Sequence, residues 1–153
     1  MNDLTALLSS VASILRDDPD LRALAPNWGA EDARAHVFVG PPPVGAANTG
    51  RSPFVVLDLA EVRQGPCLDG NRRDATTTAT IALRLVARRR VADLARLVGC
   101  ALATDDNRHL GDPDHVLGFT IERGAVERLG QTEAADLRLA VRLLGQPGAK
   151  ENP

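Results

Sequence analysis

The segment from Asp105 to His115 holds the densest group of potential metal ligands in this chain of 153 residues. It contains four aspartates and two histidines, and carboxylate oxygens and imidazole nitrogens are common ligands of divalent cations. A calcium-binding loop needs glycine at its sixth position and glutamate at its twelfth. Counting from Asp105, those positions hold Leu110 and Val116. Because aspartate and asparagine also favour turns, we interpret the segment as a structural loop, with an ion site as the weaker alternative, and predict no metal.

Cysteine is the other residue type here that could support chemistry, as a nucleophile. Cys67 lies in a predicted loop, where no neighbouring residue favours its thiolate form. Cys100 lies between Val98 and Leu102 in a predicted helix, so we expect it in the core and expect both thiols to be free. The motifs GxxxxGK[ST], GxGxxG and GxSxG are missing from the sequence. We therefore predict no catalytic residue and no cofactor, and do not expect an enzyme.

Arginines form two short groups, Arg72 with Arg73 and the run at 88–90. Together with Arg84 they could form a basic patch for an acidic partner or for nucleic-acid phosphates. Solvated turns and ordinary surface charge are the interpretation that we favour for these arginines. The net charge is −2, from 18 basic and 20 acidic residues, whereas proteins that bind a free duplex usually carry a basic excess.

Hydrophobic spacing predicts the elements that position these residues. Apolar residues three and four apart indicate helices, and period-two alternation indicates strands. The first helix should end before Pro19, because the residue preceding proline avoids the helical region. Trp28 falls in a loop at 25–35 and is predicted to fill the core. The predicted order is a helix at 4–15, a helical turn at 20–24, strands at 36–39, 53–62 and 75–87, a helix at 89–103, and strands at 115–123 and 135–144.

The remaining segments are predicted as loops, at 40–52, 64–74 and 104–114, and residues 126–129 are ambiguous. The last strand alternates most clearly, with leucines and valine on one side and Asp136, Arg138, Ala140 and Arg142 on the other. Leu117, Phe119 and Ile121 likewise share one side of the strand before it. One apolar and one polar face are typical of an antiparallel sheet that helices cover on one side only.

The predicted fold class is therefore α+β: a mainly antiparallel sheet of four to five strands with two helices packed on one face, in the order α-β-β-β-α-β-β. Residues 1–145 are predicted to form a single domain, and residues 146–153 a mobile polar tail. The N-terminus lacks the basic and apolar regions of a signal peptide, and no apolar run approaches the ~20 residues of a membrane helix. We expect a protein made in a cytoplasm that does not enter a membrane.

The order of these segments resembles a known family. The first helix leads into an Asp-rich turn, LRDDPDLRAL at 15–24, and a short strand, HVFV at 36–39, precedes a Pro-rich loop. PFVVL at 53–57 opens a hairpin with a long polar loop, a Thr-rich strand leads straight into a helix, and two strands close the chain. This arrangement resembles the tail-terminator, or tail-completion, proteins of long-tailed bacteriophages and gene transfer agents, over about residues 3–144.

The resemblance implies a ring, usually a hexamer, on the last disc of a tail tube. Such a ring stops tube polymerisation and joins the tail to the head connector, so the expected location is the head–tail junction of a virion assembled in the host cytoplasm. The expected partners are further copies of the chain, tail tube protein and the head-completion protein. DNA would pass through the ring lumen without sequence-specific binding.

Position and polarity make residues 64–74 the leading contact candidate and residues 40–52 the second. The alternatives are another neck or connector component, a cellular α+β module that binds nucleic acid or a ligand, and, less favoured, an enzyme. The residues predicted to lie in the interface are Gln64, Leu68, Asn71, Arg72, Arg73, Arg88 and Arg89.

Overall fold

A computed structural model describes residues 3–31, 35–40, 53–67, 75–111 and 115–144. Three helices, a short 3₁₀ turn and one five-stranded sheet make up the described chain. None of the helices in the described part is long and apolar enough to cross a membrane. The elements are α1 (Asp3–Asp17), α2 (Pro19–Arg22), β1 (Val37–Val39), β2 (Phe54–Cys67), β3 (Ala75–Ala87), α3 (Val91–Ala103), the 3₁₀ turn (Asp105–Asn107), β4 (Val116–Leu129) and β5 (Thr132–Leu144).

The sheet has the strand order β1-β2-β3-β5-β4. The β1–β2 pair is parallel and the other three pairs are antiparallel. Helix α1 packs over β1 and β2, and α3 packs over β3 and β5, on the same side of the sheet. The predicted α+β class and the order α-β-β-β-α-β-β are therefore confirmed, with α2 as a single additional turn.

The core lies between the helices and the apolar face of the sheet. On the strands, odd-numbered residues of β3 and β5 point into it because side chains alternate between faces. Helix α1 contributes one apolar stripe, since its buried residues recur three and four apart. The central buried residues are Leu7, Val11, Leu15, Val55, Leu57, Ile81, Leu83, Leu85, Val98, Leu102, Leu137, Leu139 and Val141.

Trp28 is a fully buried part of this core, as predicted. Its Nε1 donates a hydrogen bond of 2.7 Å to the carbonyl oxygen of Leu15, near the end of α1, where carbonyls lack intrahelical partners. The indole stacks on the ring of His36 with a centroid separation of 5.8 Å. His36 Nδ1 lies 2.7 Å from the carbonyl oxygen of Pro53 and so donates to it. This chain of contacts ties α1 to the start of β2.

The break between α1 and α2 has the predicted cause. Pro19 is the first residue of α2, and Asp18 before it is extended, with φ −64° and ψ 125°. The Asp18 carboxylate accepts a hydrogen bond of 3.1 Å from the backbone N–H of Leu21, which caps the new helix. Leu21 is fully buried, so this short helix is anchored to the core as well as capped.

Three strands run further than predicted, and one of them, β5, begins at Thr132 rather than at residue 135. β2 continues through Gln64 to Cys67, so the predicted loop at 64–74 was wrong at its start, and β4 continues through the ambiguous segment 126–129. Polar residues can pair in the ladder because both their faces meet water at these ends: residues 61–64 and 122–129 are all exposed. Polarity alone therefore did not distinguish a solvated hairpin from a loop.

Two predicted side-chain positions were also wrong, those of Leu117, expected on one side of its strand with Phe119 and Ile121, and of Cys100, expected in the core. Leu117 is 48% exposed because a register shift between Val116 and Gly118 inserts it as the extra residue of a bulge. Val116 takes the inward position instead. Cys100 is exposed because it lies two residues from both Val98 and Leu102, about 200° around the helix from each.

Candidate assembly surfaces

The sheet face opposite the helices is an extended polar surface of the described chain, and we call it the open face. Its residues form cross-strand rows, because paired residues on neighbouring strands share a face. One row runs from Asp58 through Ala82 and Arg138 to Glu122. The open face comprises Asp58, Glu61 and Arg63 on β2, Thr76, Thr78, Thr80, Ala82 and Arg84 on β3, Asp136, Arg138, Ala140 and Arg142 on β5, and Gly118, Thr120 and Glu122 on β4.

One end of this face is apolar. Phe54, Val86 and Ala134 are buried in adjacent positions of β2, β3 and β5, and Phe38 and Val56 pack against them. The rings of Phe38 and Phe54 meet edge to face with centroids 5.9 Å apart. The polar surface therefore begins beyond this cluster and extends toward the end of the sheet where β2 ends and β3 begins.

Arg84 is held within the open face by acidic neighbours. Its Nη1 donates to both carboxylate oxygens of Asp136, at 3.2 and 3.0 Å, and its Nη2 lies 3.8 Å from a carboxylate oxygen of Glu127. The guanidinium therefore already has two anionic partners. Its charge is balanced within the open face.

The predicted interface residues that are described lie at opposite ends of the sheet. Gln64 is exposed on β2 and pairs with Thr77 near the start of β3. Arg88 and Arg89 follow Ala87 at the other end of β3, and both are exposed. About ten residues of extended strand separate the two sites, or about 33 Å. Gln64 and the two arginines therefore lie at separate places on the subunit, and Leu68, Asn71, Arg72 and Arg73 lie outside the described residues.

The turn that carries Arg88 and Arg89 is built to start α3. Arg90, the residue before the helix, adopts a left-handed conformation with φ 59°, and its guanidinium pairs with Asp93 at 3.1 Å. The first helical N–H, that of Val91, donates a hydrogen bond of 3.2 Å to Glu133 on β5. These contacts give part of the arginine run a structural role at the helix start.

Two arginines that were not proposed as interface residues are the most available cations on the open face. Arg138 and Arg142 are both exposed, and neither takes part in an ion pair or hydrogen bond within the described chain. Both belong to the polar side of the alternation in β5, so the period-two pattern could have identified them. It placed them on the correct face without distinguishing them from Arg84, since ion pairing depends on the neighbouring strands.

The Asp105–His115 segment is structural where it is described. Asn107 Nδ2 donates to the carbonyl oxygen of Ala101 and to the hydroxyl of Thr104, both at 2.9 Å, which closes the end of α3. Residues 112–114 lie outside the described chain, and among the described residues no group of three or more His, Cys, Asp or Glu side chains could hold a metal. An open groove of about 340 Å³ beside α1 is lined by Ser9, Ser10, Ser13, Ile14, Asp106, Asn107, Leu110 and Gly111.

The described residues form a two-layer α+β fold in which helices cover one face of the sheet. No protein-family model and no curated protein matches the sequence. Among solved structures, the chain is similar to a chain of a particle described as the virion of a native gene transfer agent. The TM-score is 0.57 at 17% sequence identity, and the alignment covers 90% of this chain and 94% of the other. This likeness establishes the fold.

Proposed function

We propose that the protein is a structural subunit of a phage-like virion and, more specifically, a tail terminator. In this role it forms a ring on the end of the tail tube, stops tube polymerisation and joins the tail to the head connector. The observation that carries the proposal is the similarity to a gene transfer agent virion chain over nine-tenths of both chains. The element order noted in the sequence supports the same class.

The open face supports a role in assembly. Within the described chain, most of one sheet face is polar and each of the two outer strands has one unpaired edge, so the domain offers separate surfaces for neighbours on different sides. Contacts between two different surfaces of identical subunits are head-to-tail, and such contacts generate closed rings when the rotation per subunit fits. The tail tube below and the connector above would then contact the two rims of the ring.

The test is assembly with a tail tube protein from the same genome. We expect the purified chain to form a ring-sized species, measured by light scattering and negative-stain electron microscopy, and to shorten or cap tubes polymerising in its presence. The tube-length distribution is the critical measurement. A chain that remains monomeric at every concentration and leaves tube growth unchanged would refute the proposal, and rings that bind tubes without stopping growth would point to another neck component.

A further inference from the structure

The outer surface of α1 is unlike an ordinary solvent-facing helix. From residue 4 to residue 15 the helix carries no charged residue, whereas exposed helix faces normally do. Between residues 4 and 15, the exposed positions are all occupied by small side chains: Thr5, Ala6, Ser9 and Ser13. A surface of this kind permits close approach of another structural element along the length of the helix, about 22 Å for its 15 residues.

The open face contains a matching surface, which we call the floor. It consists of Thr76, Thr78, Thr80 and Ala82 along β3, flanked by Ala140 on β5 and Thr120 on β4. The floor runs about 20 Å along β3, from residue 76 to residue 82, close to the length of α1. The β3 and β5 residues of the floor are only partly exposed, so one further layer would bury them completely.

Charges of both signs border the floor, because Asp58 on β2 and Glu122 on β4 lie in the same cross-strand row as Arg138 on β5. Arg138 and Arg142 border the floor on β5, and neither has an anionic partner within the described chain. The C-terminal end of α1 carries Asp17, with Asp20 just beyond it, and both are exposed and likewise unpaired within the described residues. A helix C-terminus also carries partial negative charge, which favours nearby arginines.

The basic residues near the end of α1 are directed elsewhere. Arg16 turns inward, where its Nη2 donates to the carbonyl oxygen of Val37 at 3.3 Å and its Nη1 lies 3.4 Å from Glu31. Arg22 folds back against Gly29, its Nε 3.7 Å from where a Cβ of that glycine would lie. Asp17 and Asp20 therefore remain as the acidic groups of this end.

We infer that α1 of one subunit docks on the floor of the next subunit, with Asp17 and Asp20 of the first against Arg138 and Arg142 of the second. The occupant of the open face is thus a second copy of this chain. Because α1 and the floor lie on opposite sides of the sheet, the contact is head-to-tail and can close into a ring. The inference rests on the proposed ring and identifies which surfaces form it.

Charge reversal on each side tests this contact in the full chain. The R138E/R142E variant would place aspartates against glutamates, and the D17R/D20R variant would place arginines against arginines. We expect each variant alone to lose about tenfold or more in subunit association, measured by mass photometry over a concentration series. Circular dichroism and thermal unfolding should remain close to wild type, because all four side chains are exposed.

Mixing the two variants separates a lost contact from a damaged fold. In an alternating ring, the reversed α1 end of each D17R/D20R subunit would meet the reversed floor of an R138E/R142E subunit, so that arginines again face carboxylates. Every second contact would join an unaltered α1 end to an unaltered floor. We therefore expect an equimolar mixture to recover rings with even subunit numbers, which misfolded chains could not do. The matched control is R96E/R108E, which reverses two exposed arginines on the helix side and should assemble like wild type.

The outcomes distinguish the contact from the ring itself. Recovery on mixing supports the contact. Rings formed equally well by wild type, both variants and the control would overturn the contact while leaving the proposed ring intact. Loss of assembly in both variants without recovery on mixing would overturn the pairing of these two surfaces. A wild-type chain that never assembles would instead refute the proposed function.

Discussion

At the scale of single residues, Trp28 joins three parts of the chain through one side chain. It is fully buried, bonds to Leu15 and stacks on His36. Replacing it with phenylalanine would leave the Leu15 carbonyl without its donor and open a small cavity. We expect Trp28→Phe to lower the free energy of unfolding by about 2–4 kcal/mol, measured by urea denaturation. Val126→Ala, at a side chain 54% exposed, should change it by less than about 0.5 kcal/mol.

We expect two glycines, Gly65 and Gly99, to respond oppositely to substitution by alanine. A Cβ on Gly65 would overlap Thr76 Oγ1 and lie 3.1 Å from the Thr76 carbonyl oxygen, whereas one on Gly99 would meet nothing within 4 Å. We expect Gly65→Ala to cost about 1–3 kcal/mol through crowding at the β2–β3 pair. Gly99→Ala, in the middle of α3, should stabilise by about 0.5–1 kcal/mol because alanine favours the helix. Equal shifts of the thermal midpoint in the two variants would contradict this assignment.

At the scale of elements, the start of α3 depends on a residue distant in sequence. Arg90 supplies no side-chain cap, and the N–H of Val91 is satisfied by Glu133 across from the end of β3. We expect Glu133→Ala to destabilise the protein by about 1 kcal/mol, with faster amide exchange confined first to the N-terminal turn of α3. Glu31→Ala removes an exposed carboxylate from an ion pair with Arg16 and should cost less than Glu133→Ala.

The elements also show what the sequence could determine. Alternation placed β3 at residues 75–87 without error, because β3 lies in the sheet interior and one of its faces is apolar apart from Thr77. It failed at Gln64 and at residues 126–129, where polar strands pair beyond the helices, and at Leu117, where a bulge changes which residue points inward. The pairing of individual arginines could not be predicted for a related reason. Only the strand register brings Asp136 and Glu127 into contact with Arg84, and the sequence pattern does not contain that register.

At the scale of the whole molecule, we expect the stability of the monomer and the association of subunits to respond differently to salt. The core that holds the monomer together is apolar, and its burial does not depend on screening of charges. The inferred contact between subunits instead pairs exposed aspartates with exposed arginines, whose attraction falls as the screening length falls from about 14 Å to about 4 Å between about 0.05 M and about 0.5 M salt.

We therefore expect added sodium chloride over that range to weaken ring formation severalfold while the urea midpoint of the monomer stays nearly constant. Mass photometry at fixed protein concentration measures the first quantity, and tryptophan fluorescence, which has Trp28 as its single reporter, measures the second. The R138E/R142E variant should show the opposite trend, because screening relieves its like-charge repulsion. Assembly of the wild type that strengthens with salt would indicate an apolar contact between subunits and would reject the pairing of α1 with the floor.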